Sequence, residues 1–347
     1  MRYLLLFLLL FQTTVGMGLY YTRNGREPYG WWGSAEYLYM WREKRFYPPL
    51  ASTGVIGDPG VEILFGDAFV GTGARPGMRF DAGIWLTPCV GGGGGFILLA
   101  NQGVSYNTNT DLQPNLARPF LDASNNNAPE ALVLTDPGSL DIDTSNHLWM
   151  MDLYASYRKF HFNRLSLDFL AGFLFSRLND DADIHSSSDE GGLLILRDRT
   201  DRFNITNDYW AGMVGGVAEW ATSAWSVKAW GKLGLGNMLF KSDISGELIE
   251  TIGGISTHTE GGFLTSDVNI GKHFDSQFEL VSIVGANASL RLLCNLHLTA
   301  GYLWIYYPSV ALAGRQINIQ REPIQPFVLE TTSFWVHGWT LGLALIY

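Results

Sequence analysis

The sequence predicts an all-β chain: a transmembrane antiparallel up-and-down β-barrel of about ten strands, with twelve as the alternative. Three observations predict it. The last thirteen residues place Trp335, His337, Trp339, Leu341, Leu343, Leu345 and Tyr347 at every second position, with Val336, Gly338, Thr340, Gly342, Ala344 and Ile346 between them. One face is large and apolar and the other small or weakly polar, a period-two strand long enough to cross a bilayer. The connections between successive strands alternate short and long, as tight periplasmic turns and free outer loops do. Finally, the charges inside strands fall on the face opposite the aromatics and leucines.

The strands read in order from alternation and breakers. The first is Ser34–Trp41, with Ala35, Tyr37, Tyr39 and Trp41 on one face, and the second is Met78–Leu86. The third, Phe96–Tyr106, follows the run Gly91–Gly95, read as part of a turn. The fourth is His147–Arg158, and the fifth, Leu165–Phe175, alternates Leu165, Leu167, Phe169, Ala171, Phe173 and Phe175. Tyr209–Trp220, Trp225–Asn237, Phe278–Ala288 and Asn295–Tyr306 are the sixth to ninth, and the terminal strand is the tenth. The short joins are Thr87–Gly95, Lys159–Asn163, Ala221–Ala224 and Ser289–Cys294; the long ones are Arg42–Gly77, Asn107–Asn146, Ser176–Asp208, Met238–Gln277 and Tyr307–Ser333. The count rises to twelve if a long loop hides an extra hairpin, and the best candidate is Met238–Gln277, where Ser242–Ile252 partly alternates.

The amino-terminal end has the design of an export signal. Arg2 precedes the apolar run Tyr3–Phe11, and small residues follow at Gly16 and Gly18. The run is too short for a helix that needs about twenty residues to span a bilayer. The expected organisation is therefore a signal peptide over 1–18 and a barrel over 19–347, in a bacterial outer membrane. No later stretch of about eighteen apolar residues exists, which excludes a helical membrane protein. The 12 Trp, 15 Tyr and 20 Phe suit aromatic girdles at two interfaces, and the net charge of −10 gives no support to nucleic-acid binding. With two cysteines, Cys89 and Cys294, a disulfide-dense scaffold is out, and the turns that carry them are separated by enough strands to predict two free thiols.

If the aromatic face meets lipid, the opposite face carries Glu36, Arg79, Asp81, Asp152, Asp168, Glu219, Lys228 and Lys232 as lumen-lining residues. A lipid-facing Arg or Lys at mid-bilayer costs on the order of 2–4 kcal/mol, so sorting of this kind is selected for. Glu36 beside Arg79 and Glu219 beside Lys228 predict cross-strand ion pairs.

Short segments spread over Trp32 to Tyr347 carry a family resemblance. They are Ala35-Glu36-Tyr37-Leu38, Leu64-Phe65-Gly66, Arg79-Phe80, Gly83-Ile84-Trp85-Leu86, Pro88-Cys89 and Leu116-Ala117-Arg118-Pro119-Phe120, then Gly301-Tyr302, Gly314-Arg315-Gln316-Ile317-Asn318, Phe334-Trp335 and Gly338. In this order they resemble the putative beta-barrel porin family seven, with Gly91–Gly95 a departure from its pattern. The resemblance implies architecture and an outer-membrane location. The terminal strand likewise resembles the signal that barrel assembly machinery reads, with Trp339, Leu341, Leu343, Leu345 and Tyr347 as its residues.

No catalytic constellation emerges, and the chain is not expected to be an enzyme. His337 has no serine partner at strand spacing, and no His-x-Ser-Asn-Gly run occurs. Asp180, Asp181, Asp183 and His185 are expected on one outer loop, whereas catalysis needs groups on opposite walls of a cleft. The same loop lacks the Asp-Gly positions of a calcium loop, and no phosphate-binding glycine motif exists, so no metal or cofactor is expected. Asn125-Asn126-Asn127 reads as a turn. Arg315, Arg321 and Glu322 lie on the last long loop, either at its surface or folded inward as a constriction. Three functions are in competition: a porin for passive diffusion of small solutes, a structural or adhesive surface protein with a closed lumen, and a rim-located hydrolase. The expected partners are outer-membrane lipids, the assembly machinery and, for a porin, small solutes. Ten strands leave little lumen, because eight are already filled by side chains.

Overall fold

A computed structural model describes residues 30–71, 73–162, 164–189 and 195–346. The segment 1–18 read as a signal peptide, and Tyr347, lie outside these residues. Ten long strands dominate: β1 (Gly30–Arg42), β2 (Arg75–Trp85), β3 (Val90–Leu99), β4 (Ser139–Phe162), β5 (Leu165–Asp189), β6 (Ile195–Ala221), β7 (Trp225–Ile252), β8 (Gly271–Arg291), β9 (Leu296–Ala311) and β10 (Thr331–Ile346). All ten belong to one large antiparallel sheet. Sequential strands pair from β1 through β10, and β1 also pairs with β10, from Trp32 opposite Ile346 to Arg42 opposite Val336.

Alternation of burial gives every strand an inner and an outer face. On β1 the inner residues are Glu36, Leu38, Met40 and Arg42; on β5 they run from Ser166 to Ser186 at even positions. The outer faces are zoned. On β5 Leu165 to Phe175 are apolar, and then Arg177, Asn179, Asp181, Asp183 and His185 take over; on β6 the change falls between Trp210 and Asp208. The eleven residues Leu165 to Phe175, apolar on their outer face, match the 9–11 residues or so that a tilted strand needs to cross a bilayer. β7, at 28 residues, extends far beyond such a band.

Two corrections follow for the sequence reading. The third strand is Val90–Leu99, not Phe96–Tyr106, and Gly91–Gly95 lies inside the wall rather than in a turn. The reason is steric. A Cβ at Gly93 would meet Tyr154 Oη at 2.9 Å and the Trp32 ring at 3.1 Å, and one at Gly95 would meet the Asp152 carboxylate at 3.0 Å. Glycines make a trough in which large inner side chains of neighbouring strands lie, the close-approach role of glycine in a strand. The second correction concerns Ser176–Asp208, expected as a loop: β5 and β6 continue through most of it as one long hairpin.

Within Met238–Gln277, the candidate for an extra hairpin, Ile255–Glu260 folds back onto the upper end of β7. Val104–Asn109 likewise pairs with the upper end of β4. Above the inner space the long connections build a cap. Ala117–Asp122 pairs with Ala128–Val133 and touches Ala51–Ser52, which pairs with Ile63–Phe65; Gln320–Arg321 lies parallel to Ala117–Asp122. Arg45–Tyr47 pairs with Ala68–Val70, and a short helix spans Ala313–Gln316. Tyr47, Leu50, Phe65, Leu116, Phe120 and Ile317 of the cap share one apolar cluster with Leu38, Leu174, Ile283 and Ile305 of the wall.

Candidate functional site

The inner face divides into four levels. At the lowest, Arg158 on β4 makes a two-pronged ion pair with Asp168 on β5, Nε to Oδ1 at 2.7 Å and Nη2 to Oδ2 at 3.0 Å, and stacks over Trp85 at 4.1 Å. Glu219 and Lys228 stand opposite one another on β6 and β7. Above them is a charged node. Arg79 meets Glu36 at 3.4 Å and Asp81 at 3.1 Å, and Lys232 donates to Asp152 at 2.6 Å. Tyr154 donates to Asp81 at 3.0 Å; Asn287 donates to Glu36 at 3.2 Å and accepts from Trp230 Nε1 at 3.0 Å. Arg79 lies over the Trp230 ring and Lys232 over the Tyr154 ring. All five charged groups are buried, between 4% and 8% exposed.

Several of these bonds join strands that are not neighbours. Lys232 on β7 reaches Asp152 on β4, Asn287 on β8 reaches Glu36 on β1, and Tyr154 on β4 passes over the glycines of β3 to Asp81 on β2. The node therefore crosses the inner space. In this setting a paired, hydrogen-bonded charge is tolerated and a bare one is not.

The next level is apolar. Leu38, Met40, Leu99, Leu148, Met150, Leu174, Val281, Ile283, Leu303, Ile305 and Val336 are each at most 1% exposed. Tyr209 on β6 donates to the backbone oxygen of Glu279 on β8 at 3.1 Å. The apolar inner positions follow the same alternation as the charged ones, so the sequence contained this layer as plainly as it contained the lumen-lining set.

The uppermost level holds two ion pairs between cap and wall. Arg45 Nη1 meets Asp180 Oδ1 at 2.6 Å, and Arg118 Nη2 meets Asp201 Oδ2 at 2.8 Å, all four groups 1% exposed or less. Arg118 also donates to Ser186, and Asp201 accepts from Leu264 N and Thr265 Oγ1. Arg118 and Arg321 both lie over the Phe263 ring, at 4.4 and 4.2 Å. Burial holds both guanidiniums below the ordinary arginine range. Burial also raises the Tyr47 hydroxyl, and the nearby Asp180 charge adds to it.

Asp180 thus corrects another expectation. It lies on β5 rather than on a loop, and it is an inner, fully buried ion-pair partner; Asp181, Asp183 and His185 follow it along the same strand. Sequence reasoning missed Arg45, Arg118 and Asp201 because their partners are 83 to 135 residues apart. The alternation of Asp180, Ala182, Ile184 and Ser186 beyond Phe175 was the available signal. Of the last-loop residues, Arg315 is exposed over Phe46, and Arg321 is half-buried in the cap.

The outer face carries Trp339, Leu341 and Leu343 exposed, with Leu345 half-buried. His337 sits among Trp335, Trp41 and Tyr302, and bonds to the Tyr302 hydroxyl. Its surroundings are aromatic. Cys89 and Cys294 are free and exposed, in separate turns. Among the described residues no group of His, Cys, Asp and Glu could hold a metal ion.

These features define the class: an all-β protein built on one large antiparallel sheet, with an apolar band on its outer face and packed side chains on its inner one. The chain belongs to the family described as Putative beta barrel porin-7 (BBP7), whose model matches residues 32–347. No curated protein matches it. Among solved structures it is similar to the outer membrane protease OmpT from Escherichia coli, at 8% identity over 92% of this chain and 97% of that one, with a TM-score of 0.49. The anion-selective porin from Comamonas acidovorans matches at 9% identity over 91% and 98% of the chains, TM-score 0.22. A FadL homologue from Pseudomonas aeruginosa matches at 8% identity over 92% and 90%, TM-score 0.23.

Proposed function

We propose that this chain is a ten-stranded barrel, closed by the β1–β10 pair, in a bacterial outer membrane, and that its lumen is sealed. On this reading it serves as a surface protein that presents its cap and outer loops, and it is neither a diffusive pore nor an enzyme. The observation that carries the reading is the set of bonds crossing the inner space, Lys232 to Asp152 and Asn287 to Glu36, beneath a continuous apolar layer. Passive diffusion of small solutes needs a water path, and clear channels belong to barrels with many more strands. The family name is the support for the porin alternative.

Planar-bilayer recording of the purified, refolded protein tests this. No unitary current is expected; a reproducible ohmic current would return the porin reading. The membrane itself is tested on the outer face. Leu341→Arg places a charge on an outward position that is 56% exposed. It should cost about 2–4 kcal/mol in lipid if Leu341 sits near the bilayer midplane. Unchanged stability in vesicles would argue against a lipid-facing surface. Lipids, the assembly machinery reading Trp339 to Tyr347, and export through the leader at 1–18 complete the proposal.

A further inference from the structure

The level where cap meets wall contains a charge imbalance. Arg42 at the top of β1, Arg75 at the start of β2 and Arg45 in the cap are 4%, 1% and 0% exposed. The charged groups that act on Arg42 are Arg45, Arg75 and Asp180, with Tyr47 beside them. Arg45 additionally feels Asp181, whose side chain is turned to the outer face. The buried carboxylate that acts on both Arg42 and Arg75 is that of Asp180.

Asp180 is already fully engaged. Its Oδ1 accepts from Arg45 Nη1 at 2.6 Å and from Asn146 Nδ2 at 3.1 Å, and its Oδ2 accepts from Ala313 N at 2.8 Å. Asn146 in turn takes Arg75 Nη2 on its side-chain oxygen at 2.8 Å and Arg75 Nη1 on its backbone oxygen at 3.3 Å. What is left is specific. Nε, Nη1 and Nη2 of Arg42, Nε of Arg45 and Nε of Arg75 are buried without a protein acceptor. An entire guanidinium fork, nine-tenths buried, has no hydrogen-bond acceptor among the described residues.

The local backbone favours this arrangement. Gly71 has φ +74°, where a side chain is strained, and a Cβ there would lie 2.7 Å from Arg42 Nη2 and 3.6 Å from Arg45 Nη2. The two guanidinium tips therefore both lie against the main chain of Gly71. A guanidinium cannot shed its proton to escape the cost of burial. Such a charge needs an anion and acceptors for its fork.

We propose that Arg42, Arg45 and Arg75 form a buried binding site for a small inorganic anion, which locks the cap onto the wall. The anion accepts from the Arg42 fork and offsets the positive charge that Asp180 leaves uncompensated. The site is independent of whether the lumen conducts.

The test uses bromide and inorganic phosphate on the full refolded protein. Melting midpoints are followed by the heat-modifiable gel shift at constant ionic strength, with gluconate, too large for the site, replaced stepwise by bromide or phosphate. A saturable rise of a few degrees is expected with at least one of them. Arg42→Met should abolish that rise, whereas Lys272→Met, at an exposed ion pair, should keep it. If Arg42→Met does not fold, crystals of the unaltered protein grown in bromide decide at the bromine absorption edge. An anomalous peak at Arg42 supports the site. Ordered water there, with midpoints indifferent to both anions, would overturn it.

Discussion

The charged node at mid-wall and the charged node beneath the cap are built from the same residue types and are balanced in opposite directions. The mid-wall node sets Arg79 and Lys232 against Glu36, Asp81 and Asp152, so carboxylate is in excess. The cap node sets Arg42, Arg45 and Arg75 against Asp180, so guanidinium is in excess. The two excesses are not equivalent. A carboxylate that loses its cation can be neutralised by a proton, whereas a guanidinium cannot be neutralised at all. The lower node can therefore adjust from within, and the upper one depends on what is brought to it.

Removing one partner from each node tests that contrast. Asp180→Ala should have the largest effect, on the order of 3–5 kcal/mol, because it strips the buried Arg45 of its ion-pair partner, removes the carboxylate that acts on Arg42 and Arg75, and frees Ala313 N as well. Urea unfolding of the refolded protein in lipid vesicles measures it, and a loss below that of the mid-wall change would reverse the ranking. Lys232→Met in the lower node should cost less, roughly 3 kcal/mol, since Asp152 still feels the charge of Arg79. Adding Asp152→Leu should restore most of that stability, because an apolar pair replaces an ionic one of similar volume. If the double variant is worse than the single one, the node contributes more than its pairwise charge. The smallest effect should come from the wall that cradles the lower node. Gly93→Val crowds the Trp32 ring and the Tyr154 hydroxyl, and should cost about 1–3 kcal/mol in the same assay. No effect there would mean that the glycine trough is not what seats Tyr154 against Asp81.

The two nodes also differ in how much of them can be seen in the chain. Glu36, Arg79, Asp81, Asp152 and Lys232 stand on strands with strong alternation, so period two alone puts them on the face away from the aromatics. Glu36 and Arg79 are direct cross-strand neighbours, and their pairing follows from strand order. The strand Phe96–Tyr106 was misplaced because five consecutive glycines carry no periodic signal, and their meaning comes from Trp32, Tyr154 and Asp152 on other strands. Asp180 looked like part of an acidic loop because its outward neighbours Asp181 and Asp183 broke the apolar pattern just where β5 rises above the apolar band.

By itself the sequence determined the all-β class, the family, the inner and outer faces, and which charges share the inner face. The physical reason is that alternation is local: successive side chains of a strand must point to opposite sides. Only the tertiary structure decided that Lys232 crosses to Asp152, that the cap shares the apolar cluster of the wall, and that Arg45 and Arg118 close on Asp180 and Asp201. The ion pairs among them join residues 80 to 135 positions apart, across strands that are not neighbours or between cap and wall. They depend on how the ten strands are arranged in space and how the long connections fold back between them, and no periodicity within a single strand encodes either.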